Sequence, residues 1–365
     1  MDSDYVTSLY HIRSQFSTYV TIPICILSII GEIFSIIVFL SLKTFRQNSC
    51  AFYLMSMSIF NFIRLVFSTL FIVISSAFTI DWTFALFYYC QFRNLIVASC
   101  NLSAITCLCL AIADQYFATC LRHRLQQWSN IKTAYRVTGT IAIIWILHAI
   151  PYFIYFNQLS MSNTAVCITK NPIFLKYHTY GYFLTYGNLF PLIAVIFGVM
   201  SFRNARNLTT RANLLVRREL DKQLTMMVLV EICVYVLTYI PYSISNGYST
   251  LNTNRDPTLL AQLNLINIVT MTLSIISNGN SFFIYICVSR RFRRQAKYVL
   301  YENCRNHNSN NRVAPDHAEM QVVTERISAA RAGCLITRRP SLATGITSGA
   351  REGNGKSEII LLQLK

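Results

Sequence analysis

Three ionisable side chains interrupt long apolar stretches of the sequence: Glu32, Arg64 and Glu231. A charged side chain that faces lipid from the centre of a membrane helix costs roughly 2.5–3.5 kcal/mol on insertion scales, so each of the three is expected to point towards neighbouring helices. Charge pairing and hydrogen bonding between helices are the chemistry open to such residues. We interpret them as buried polar contacts within the protein rather than as ligand contacts.

The residue types that support catalysis show no catalytic arrangement. The sequence has 12 cysteines and 6 histidines, but they do not follow the spacing of a metal site. It has no glycine-rich phosphate loop, and no nucleophile stands in a motif together with a base. We therefore predict a protein that is not an enzyme and that uses neither a metal ion nor a cofactor.

Composition indicates the elements that must position these side chains. Hydrophobic residues make up 53% of the chain and charged residues 13%, with a mean hydropathy of +0.41, as is typical of a membrane protein. Because a helix needs about 20 apolar residues to cross a bilayer, we predict seven spans. They cover approximately residues 19–42, 52–77, 87–117, 134–156, 180–202, 223–247 and 260–288. The runs lack the alternation of barrel strands, so the predicted fold is an all-α bundle of seven membrane helices.

Basic residues fall mostly in the connections on one side of this bundle. They are Lys43, Arg46, Arg122, Arg124, Lys132, Arg203, Arg206, Arg211, Arg217 and Arg218, followed by the basic run from Arg290 to Lys297. The opposite side has only Arg13, Lys170, Lys176 and Arg255. The positive-inside rule then predicts a multi-pass plasma-membrane protein with residues 1–18 outside the cell and the C-terminal tail in the cytosol. The net charge of +17 would face anionic membrane lipid, and no module for binding nucleic acid accompanies it.

The sequence after the seventh span predicts a short eighth helix. Residues 289–300 place apolar side chains on one helical face and bases on the other, which predicts an amphipathic helix along the inner leaflet. The apolar residues are Phe292, Ala296, Val299 and Leu300.

Residues 301–365 differ from the rest of the chain. They are polar at first and poor in aromatic residues throughout, so we predict a disordered cytosolic tail. Cys304 is a candidate for palmitoylation, with a plain free thiol as an equal alternative. Ser341, in the sequence RRPS, is a candidate for phosphorylation.

Several short motifs mark the predicted spans. Asp114-Gln115-Tyr116 ends the third span, which begins near Cys90. The others are GEIFSIIVF in the first span, Asn61 in the second, DWTFA before Cys90, Trp145, Pro191, TYIPY at Thr238–Tyr242, SFFIY at Ser281–Tyr285, and Phe292. In order and position this set resembles rhodopsin-like G-protein-coupled receptors, whose third helix ends in Asp-Arg-Tyr. The resemblance covers about residues 19–300, the predicted seven-span domain with its eighth helix, and is closest to divergent peptide-type and orphan receptors of invertebrates.

The resemblance implies a ligand cavity between the outer halves of the third, fifth, sixth and seventh spans. The residues that it assigns to this cavity are Arg93, Val97, Tyr182, Tyr186, Tyr242, Asn246 and Met271. Val97 stands where amine receptors have the aspartate that binds the ligand ammonium, so an amine ligand is not expected. Arg93 and the tyrosines favour a peptide, or an acidic or carbonyl-rich ligand. Cys90 and Cys167 lie on the same outer, oxidising side and form the predicted disulfide.

The resemblance also implies an activation switch. Its residues would be Asp114, Gln115, Tyr116, Asp221, Tyr239, Pro241, Ser281 and Tyr285. In the family, two acids at the positions of Asp114 and Asp221 hold the arginine of the triplet at rest. Gln115 can form only a weaker hydrogen bond, so we expect either a less firmly held resting state or weaker coupling.

Family geometry also brings polar residues of the bundle together. This polar core would comprise Glu32, Asn61, Arg64, Glu231 and Asn278. We predict a Glu32–Arg64 pair and a hydrogen bond between Glu231 and either Tyr285 or Asn278. Asn61 stands where the family has an aspartate, so a sodium ion is not expected.

The leading prediction is a cell-surface receptor that a peptide or other non-amine ligand activates and that couples to heterotrimeric G proteins. Arrestin would be a further partner, recruited by phosphate on Ser341. One alternative is a receptor-shaped protein that no longer couples, because Gln115 replaces the arginine of the triplet. Another is a seven-helix transporter or channel, which the absence of inverted repeats disfavours.

Overall fold

The computed structural model describes residues 2–41, 43–78, 88–120, 123–161, 164–208, 215–252 and 256–302. Residues 303–365 of the predicted disordered tail, including Cys304 and Ser341, therefore lie outside the described residues, as does the DWTFA motif, whereas Tyr301 and Glu302 are helical. Side chains are described for fewer residues than backbone, and those of Tyr182, Tyr186 and Asp221 are outside the described part.

The first span is longer than predicted. It is a continuous run of α1 (Asp2–Phe16), a π-helical turn (Ser17–Thr21) and α2 (Ile22–Ser41), so the helix begins at Asp2 rather than near residue 19. Contacts with the second span explain the extension. Ser14 Oγ donates to the Ala77 carbonyl oxygen over 2.7 Å, and Ser17 Oγ donates to the Val73 carbonyl oxygen over 3.2 Å.

The other helices follow the order of the predicted spans. The second span consists of α4 (Ser49–Arg64), a π-helical turn (Leu65–Thr69) and α5 (Leu70–Phe78), after the short α3 (Lys43–Arg46). The third is α6 (Tyr89–Thr119), and the fourth is α8 (Ile131–Tyr155), after the short α7 (His123–Gln126). The fifth comprises α9 (Pro172–Lys176), a π-helical segment (Tyr177–Tyr186) and α10 (Gly187–Leu208), and the sixth is α11 (Leu215–Leu251). The seventh consists of α12 (Pro257–Gly279) and α13 (Ser281–Val288), followed by α14 (Arg290–Lys297) and a π-helical turn (Tyr298–Glu302).

Polar side chains mark where several of these helices begin. Asn48, Asn130 and Asp256 each accept a hydrogen bond from a backbone N–H in the first turn of α4, α8 and α12, over 3.0, 3.0 and 3.1 Å. Asp256 and Asn171 are also followed directly by a proline, which suits the first helical position because it has no N–H to leave unsatisfied.

Six of the described helices are long and apolar enough to cross a membrane, and they correspond to spans one to four, six and seven. The fifth span contributes a shorter apolar helix over Asn188–Asn204. Together they form the predicted bundle. Within their most apolar windows, 72% of the third span is buried but only 17% of the fourth. The third span is therefore the centre of the bundle, and the fourth lies at its edge.

A two-stranded sheet connects the fourth and fifth spans. Strands β1 (Phe156–Met161) and β2 (Thr164–Thr169) pair antiparallel, with Gln158 opposite Cys167. This hairpin lies at the end of the bundle where the third span begins, because Cys167 is bonded to Cys90.

The amphipathic helix packs on the bundle at the opposite end. Phe292 is fully buried, with ring centroids 5.4 Å from those of Phe39 and Tyr285, and Ala296 is buried beside them. Leu300 is 38% exposed. The predicted apolar face is thus divided, since its first half contacts the protein core and its end faces outward.

The sixth and seventh spans each contain an irregular position. Pro241 lies inside the sixth span. The seventh is interrupted at Asn280, between α12 and α13, within the polar and glycine-containing sequence Ser277–Ser281.

Candidate functional site

A disulfide ties the hairpin to the third span. Cys90 and Cys167 are bonded with Cα atoms 5.7 Å apart, which confirms the predicted pair. Asn94 lies one turn after Cys90, and its Nδ2 donates to Cys167 Sγ over 3.1 Å and to the Cys90 carbonyl oxygen over 2.9 Å. The hairpin is therefore fixed beside the first turns of the central helix.

A cavity of about 220 Å³ opens between the spans on this side of the bundle. Four of the seven predicted ligand-binding residues line it: Arg93, Val97, Tyr242 and Asn246. Asn246 Nδ2 donates to the Tyr242 hydroxyl over 3.0 Å, which fixes the orientation of both side chains. Asn94 also lines the cavity, so the disulfide and the cavity share one structural unit.

The remaining three predicted ligand-binding residues are not placed at the cavity. Met271 packs against an apolar cluster that contains Cys25, Leu65, Val73 and Ile275, and it is not among the lining residues. Tyr182 and Tyr186 belong to the π-helical segment, and their side chains lie outside the described part.

Sequence reasoning missed most of the residues that line the cavity. They are Arg64, Ile72, Asn94, Ala98, Asn101, Tyr152, His178 and Tyr239. Tyr239 and Arg64 were assigned to the switch and to the polar core. For the other missed residues, the sequence contains only a weak signal of a cavity, because an asparagine or an aromatic residue in a membrane helix does not indicate which neighbour it faces. Arg64 was interpreted as a polar contact within the protein, but it lines the cavity, and an arginine within an apolar span is a signal that could have indicated this, since such residues commonly mark ligand paths.

Two buried carboxyl groups meet at a serine in the middle of the bundle. Ser281 Oγ lies 3.0 Å from Glu231 Oε1 and 3.3 Å from Glu32 Oε1, and all three residues are buried. A hydroxyl group has one proton, so it can donate to only one of the two oxygens at a time. The first, sixth and seventh spans are thereby joined by a polar contact directly after the interruption at Asn280.

This junction differs from the predicted polar pairs. Glu32 contacts the seventh span rather than Arg64, because Arg64 lies on the face of the second span that lines the cavity. Glu231 contacts Ser281 rather than Tyr285 or Asn278. The Tyr285 hydroxyl has no hydrogen-bond partner among the described residues, and Asn278 Nδ2 bonds to Ser274 in its own helix.

A second polar contact lies at the far end of the third span. Asp114 is buried and accepts from Ser49 Oγ, at 2.8 Å from Oδ1 and 2.7 Å from Oδ2. Gln115 is fully buried, and its Oε1 accepts from Thr225 Oγ1 over 3.0 Å. Gln115 Nε2 has no partner among the described residues. The sixth span is therefore held to the triplet through Thr225, a residue that sequence reasoning did not single out.

Three of the other predicted switch residues make contacts between aromatic rings. The Tyr116 ring packs 5.7 Å from that of Phe197, and the Tyr285 ring 5.6 Å from that of Phe39. Tyr239 stacks on Tyr235 with ring centroids 4.8 Å apart. Tyr239 also lines the cavity, so a ligand there would touch the sixth span two residues before its internal proline, Pro241.

Chemically, the arrangement offers a cavity for a ligand and polar contacts that join the sixth span to its neighbours. The part of the chain that the structure describes contains no group of three or more His, Cys, Asp and Glu residues suited to a metal ion. The cavity, the serine junction and the Gln115–Thr225 bond all involve the sixth span. A helix that contacts both a cavity and a distant polar lock can transmit a change from one to the other.

Comparison with known proteins gives one family and several relatives. The family described as "7 transmembrane receptor (rhodopsin family)" matches residues 31–285. Neuromedin-U receptor 2 of Mus musculus is 22% identical over 236 residues, which cover 59% of this chain and 58% of the relative. The B2 bradykinin receptor of Homo sapiens is 22% identical over 233 residues, with 61% and 59% covered, and the sex peptide receptor of Drosophila melanogaster 25% over 240 residues, with 58% and 54% covered. The chain thus matches between 54% and 59% of the length of these relatives.

Proposed function

The chain belongs to the rhodopsin family of seven-transmembrane receptors, and on that premise we propose that it is a peptide receptor that activates heterotrimeric G proteins. Family membership is the observation that carries the proposal. A peptide ligand is supported by the similar proteins, whose names include receptors for bradykinin and for sex peptide. It is also supported by Val97, because the described residues that line the cavity include no acid that could bind an amine. The role is signalling by binding, without catalysis.

The test is G-protein dissociation in cells that express the full chain, measured without ligand and against a library of peptides. We expect at least one peptide to raise the signal above that of cells expressing empty vector. One observation favours a second function, a receptor-shaped protein that does not couple: Gln115 replaces the arginine of the family triplet. High-affinity peptide binding with neither basal nor stimulated dissociation would support that second function and contradict the first.

We propose that the end of the bundle with the Cys90–Cys167 disulfide faces the outside of the cell. Disulfides form in oxidising compartments, and the basic connections gather at the opposite end. Epitope tags at both ends of the chain test this orientation. The N-terminal tag should stain intact cells and the C-terminal tag only permeabilised cells. Staining of the C-terminal tag on intact cells would contradict the orientation.

Further partners follow from the proposed orientation. Anionic lipid would contact the basic residues around α14, such as Arg290 and Arg294. Arrestin would bind the tail after phosphorylation of Ser341, and palmitate on Cys304 would anchor it to the membrane. These two sites lie outside the described residues, so their support comes from the sequence alone.

The Gln115–Thr225 hydrogen bond gives a prediction about resting activity. Thr225→Val keeps the shape of the side chain but removes the donor that holds Gln115 Oε1, so the sixth span should leave its resting position more readily. Loss of about 1.4 kcal/mol from the resting state would raise the ratio of active to resting receptor tenfold. We expect higher basal G-protein dissociation at matched surface expression, with Thr225→Ser close to wild type.

Gln115→Arg tests the same contact from the other side. A guanidinium next to Asp114 can form charge-assisted hydrogen bonds that Gln115 cannot, so we expect lower basal activity, a stronger response to agonist, or both. Asp221→Ala in that background should partly reverse any fall in basal activity. If Thr225→Val and Gln115→Arg both leave basal and stimulated signals unchanged, this contact is not part of the switch.

A further inference from the structure

Arg64 is a buried cation of the bundle with no acid beside it among the residues that the structure describes. Arg64 is only 9% exposed, and its Nε and Nη2 atoms have no hydrogen-bond partner among the described residues. A guanidinium remains charged under all ordinary conditions, so it cannot relieve its burial by losing a proton. Burial of a charge without a counter-charge is strongly unfavourable, and proteins tolerate it mainly where a function needs it.

The buried acids of the bundle are engaged elsewhere. Among the described residues they are Glu32, Asp114 and Glu231. Glu32 and Glu231 meet at Ser281, and Asp114 accepts from Ser49. No aspartate or glutamate is found among the described residues that line the cavity with Arg64. The described part of the chain therefore supplies no anion to this guanidinium.

The cavity gives an anion access to Arg64. Arg64 lies midway along the second span, whereas Arg93 lies one turn after the start of the third span at Cys90. The cavity thus extends from the disulfide end of the bundle to a cation near its middle. Asn101 and Tyr239 also line the cavity, and Asn101 Nδ2 donates to the Tyr239 hydroxyl over 3.5 Å. Arg93 differs from Arg64, because its guanidinium carbon lies 5.9 Å from the centre of the Tyr89 ring.

The size of the cavity limits what can reach Arg64. A volume of about 220 Å³ is below the ~300–1,000 Å³ typical of sites that enclose a drug-sized ligand. It can hold one side chain or the last residue of a peptide, with the rest of the peptide lying outside it. The planar fork of a guanidinium matches a carboxylate group best, because two parallel hydrogen bonds can form.

We propose that Arg64 binds a carboxylate of the ligand, which is either the C-terminus of a peptide or an aspartate or glutamate side chain. That the ligand is a peptide rests on the proposed function, whereas the need for a carboxylate group follows from the buried charge of Arg64. The ligand carboxylate supplies the missing counter-charge in the middle of the bundle. It also places the ligand against Tyr239 of the sixth span, which is the contact through which binding would bias the switch.

The first experiment uses paired peptides. Each peptide in the library is made as a C-terminal acid and as an amide, and active peptides are then remade with Asn or Gln in place of each Asp or Glu. We expect one of these replacements to raise the half-maximal concentration about 10- to 100-fold on the wild-type receptor, the range that charge-assisted hydrogen bonds give. The replacement that does so identifies the C-terminus or a side chain as the source of the carboxylate.

The same pairs are then measured on Arg64→Gln, with Arg93→Gln as the matched control. Arg64→Gln should remove the difference between acid and amide, whereas Arg93→Gln should preserve it. Arg64→Lys, which keeps the charge without the fork, should give an intermediate difference. Active peptides without any carboxylate, or an unchanged difference on Arg64→Gln, would overturn the proposal.

A second experiment does not depend on signalling. The unfolding temperature of the purified full chain is measured with N-acetylglycine, with its neutral amide, and with chloride at the same ionic strength. At a saturating concentration, N-acetylglycine alone should raise the unfolding temperature of wild type and of Arg93→Gln by roughly 2–4 °C. The unfolding temperature of Arg64→Gln should not rise. Equal stabilisation by chloride would overturn the assignment to carboxylates. If no peptide activates a G protein but this shift occurs, the proposed function fails and the carboxylate site stands.

The ligand-free variants provide a check on folding. Because no acid among the described residues pairs with Arg64, Arg64→Gln should unfold at the same temperature as ligand-free wild type or a higher one. A lower unfolding temperature would show that Arg64 has a structural partner, and the proposal would be wrong.

Discussion

Cys167→Ser is expected to destabilise the receptor by about 4 kcal/mol, because it opens a loop whose ends are 77 residues apart in the sequence. Without the bond, the hairpin would keep noncovalent contacts with the third span, such as the packing of Phe156 against the apolar cluster that contains Ala98 and Leu102, while the contact of Asn94 with Cys167 Sγ would be lost. Displacement of the hairpin would disturb the cavity, which Asn94 also lines. The measurements are the unfolding temperature of the purified chain, surface expression and the response to an activating peptide, and all three should fall.

Three variants separate loss of the bond from loss of a thiol. Cys90→Ser should lower the unfolding temperature by a similar amount, and the double variant should be no worse than either single one, because both changes remove the same bond. Cys233→Ser, at an exposed free cysteine, should behave as wild type. Full surface expression of Cys167→Ser with an unchanged unfolding temperature would contradict a stabilising disulfide.

The bundle could be predicted from the sequence because lipid imposes a strong constraint. A backbone in a bilayer must satisfy its own hydrogen bonds, so long apolar runs become helices whatever their neighbours. The extension of the first span to Asp2 could not be predicted in this way. Residues 2–16 have no strong apolar pattern, and their helix is held through Ser14 and Ser17 against the second span, a tertiary contact that composition does not reveal.

The candidate site could be predicted only in part, for a similar reason. Sequence shows that Glu32, Arg64 and Glu231 must face inward, but the choice of partner depends on how far each helix is rotated about its axis. Arg64 faces the cavity and Glu32 faces the seventh span, so the pair predicted between them does not form. Thr225 was missed because a threonine in an apolar helix usually bonds its own backbone, and only the packing brings it to Gln115.

The first and seventh spans cross closely at two glycines, Gly31 and Gly279. Of the described glycines, Gly279 has the least space for a side chain. A Cβ atom added at Gly279 would collide with the side chain of Ser28 and would lie 2.6 Å from its Cα. On the other helix, a Cβ added at Gly31 would lie 3.0 Å from the Gly279 carbonyl oxygen. Small residues allow membrane helices to approach in this way, and the approach positions Glu32 beside Ser281.

Gly279→Ala should therefore destabilise the bundle by more than about 2 kcal/mol, because the added methyl group meets backbone as well as side-chain atoms and the helices must separate. Separation would also lengthen the 3.3 Å contact between Glu32 and Ser281. The unfolding temperature and the surface expression should both fall.

Gly139→Ala is the matched control, since nothing lies within 4 Å of its added Cβ, and it should be neutral or slightly stabilising. Ser28→Gly removes the side chain that the new methyl group would meet, so it should partly rescue the stability of Gly279→Ala. Two results would show that this crossing does not limit stability. One is a double variant no more stable than Gly279→Ala alone, and the other is equal stability of Gly279→Ala and Gly139→Ala.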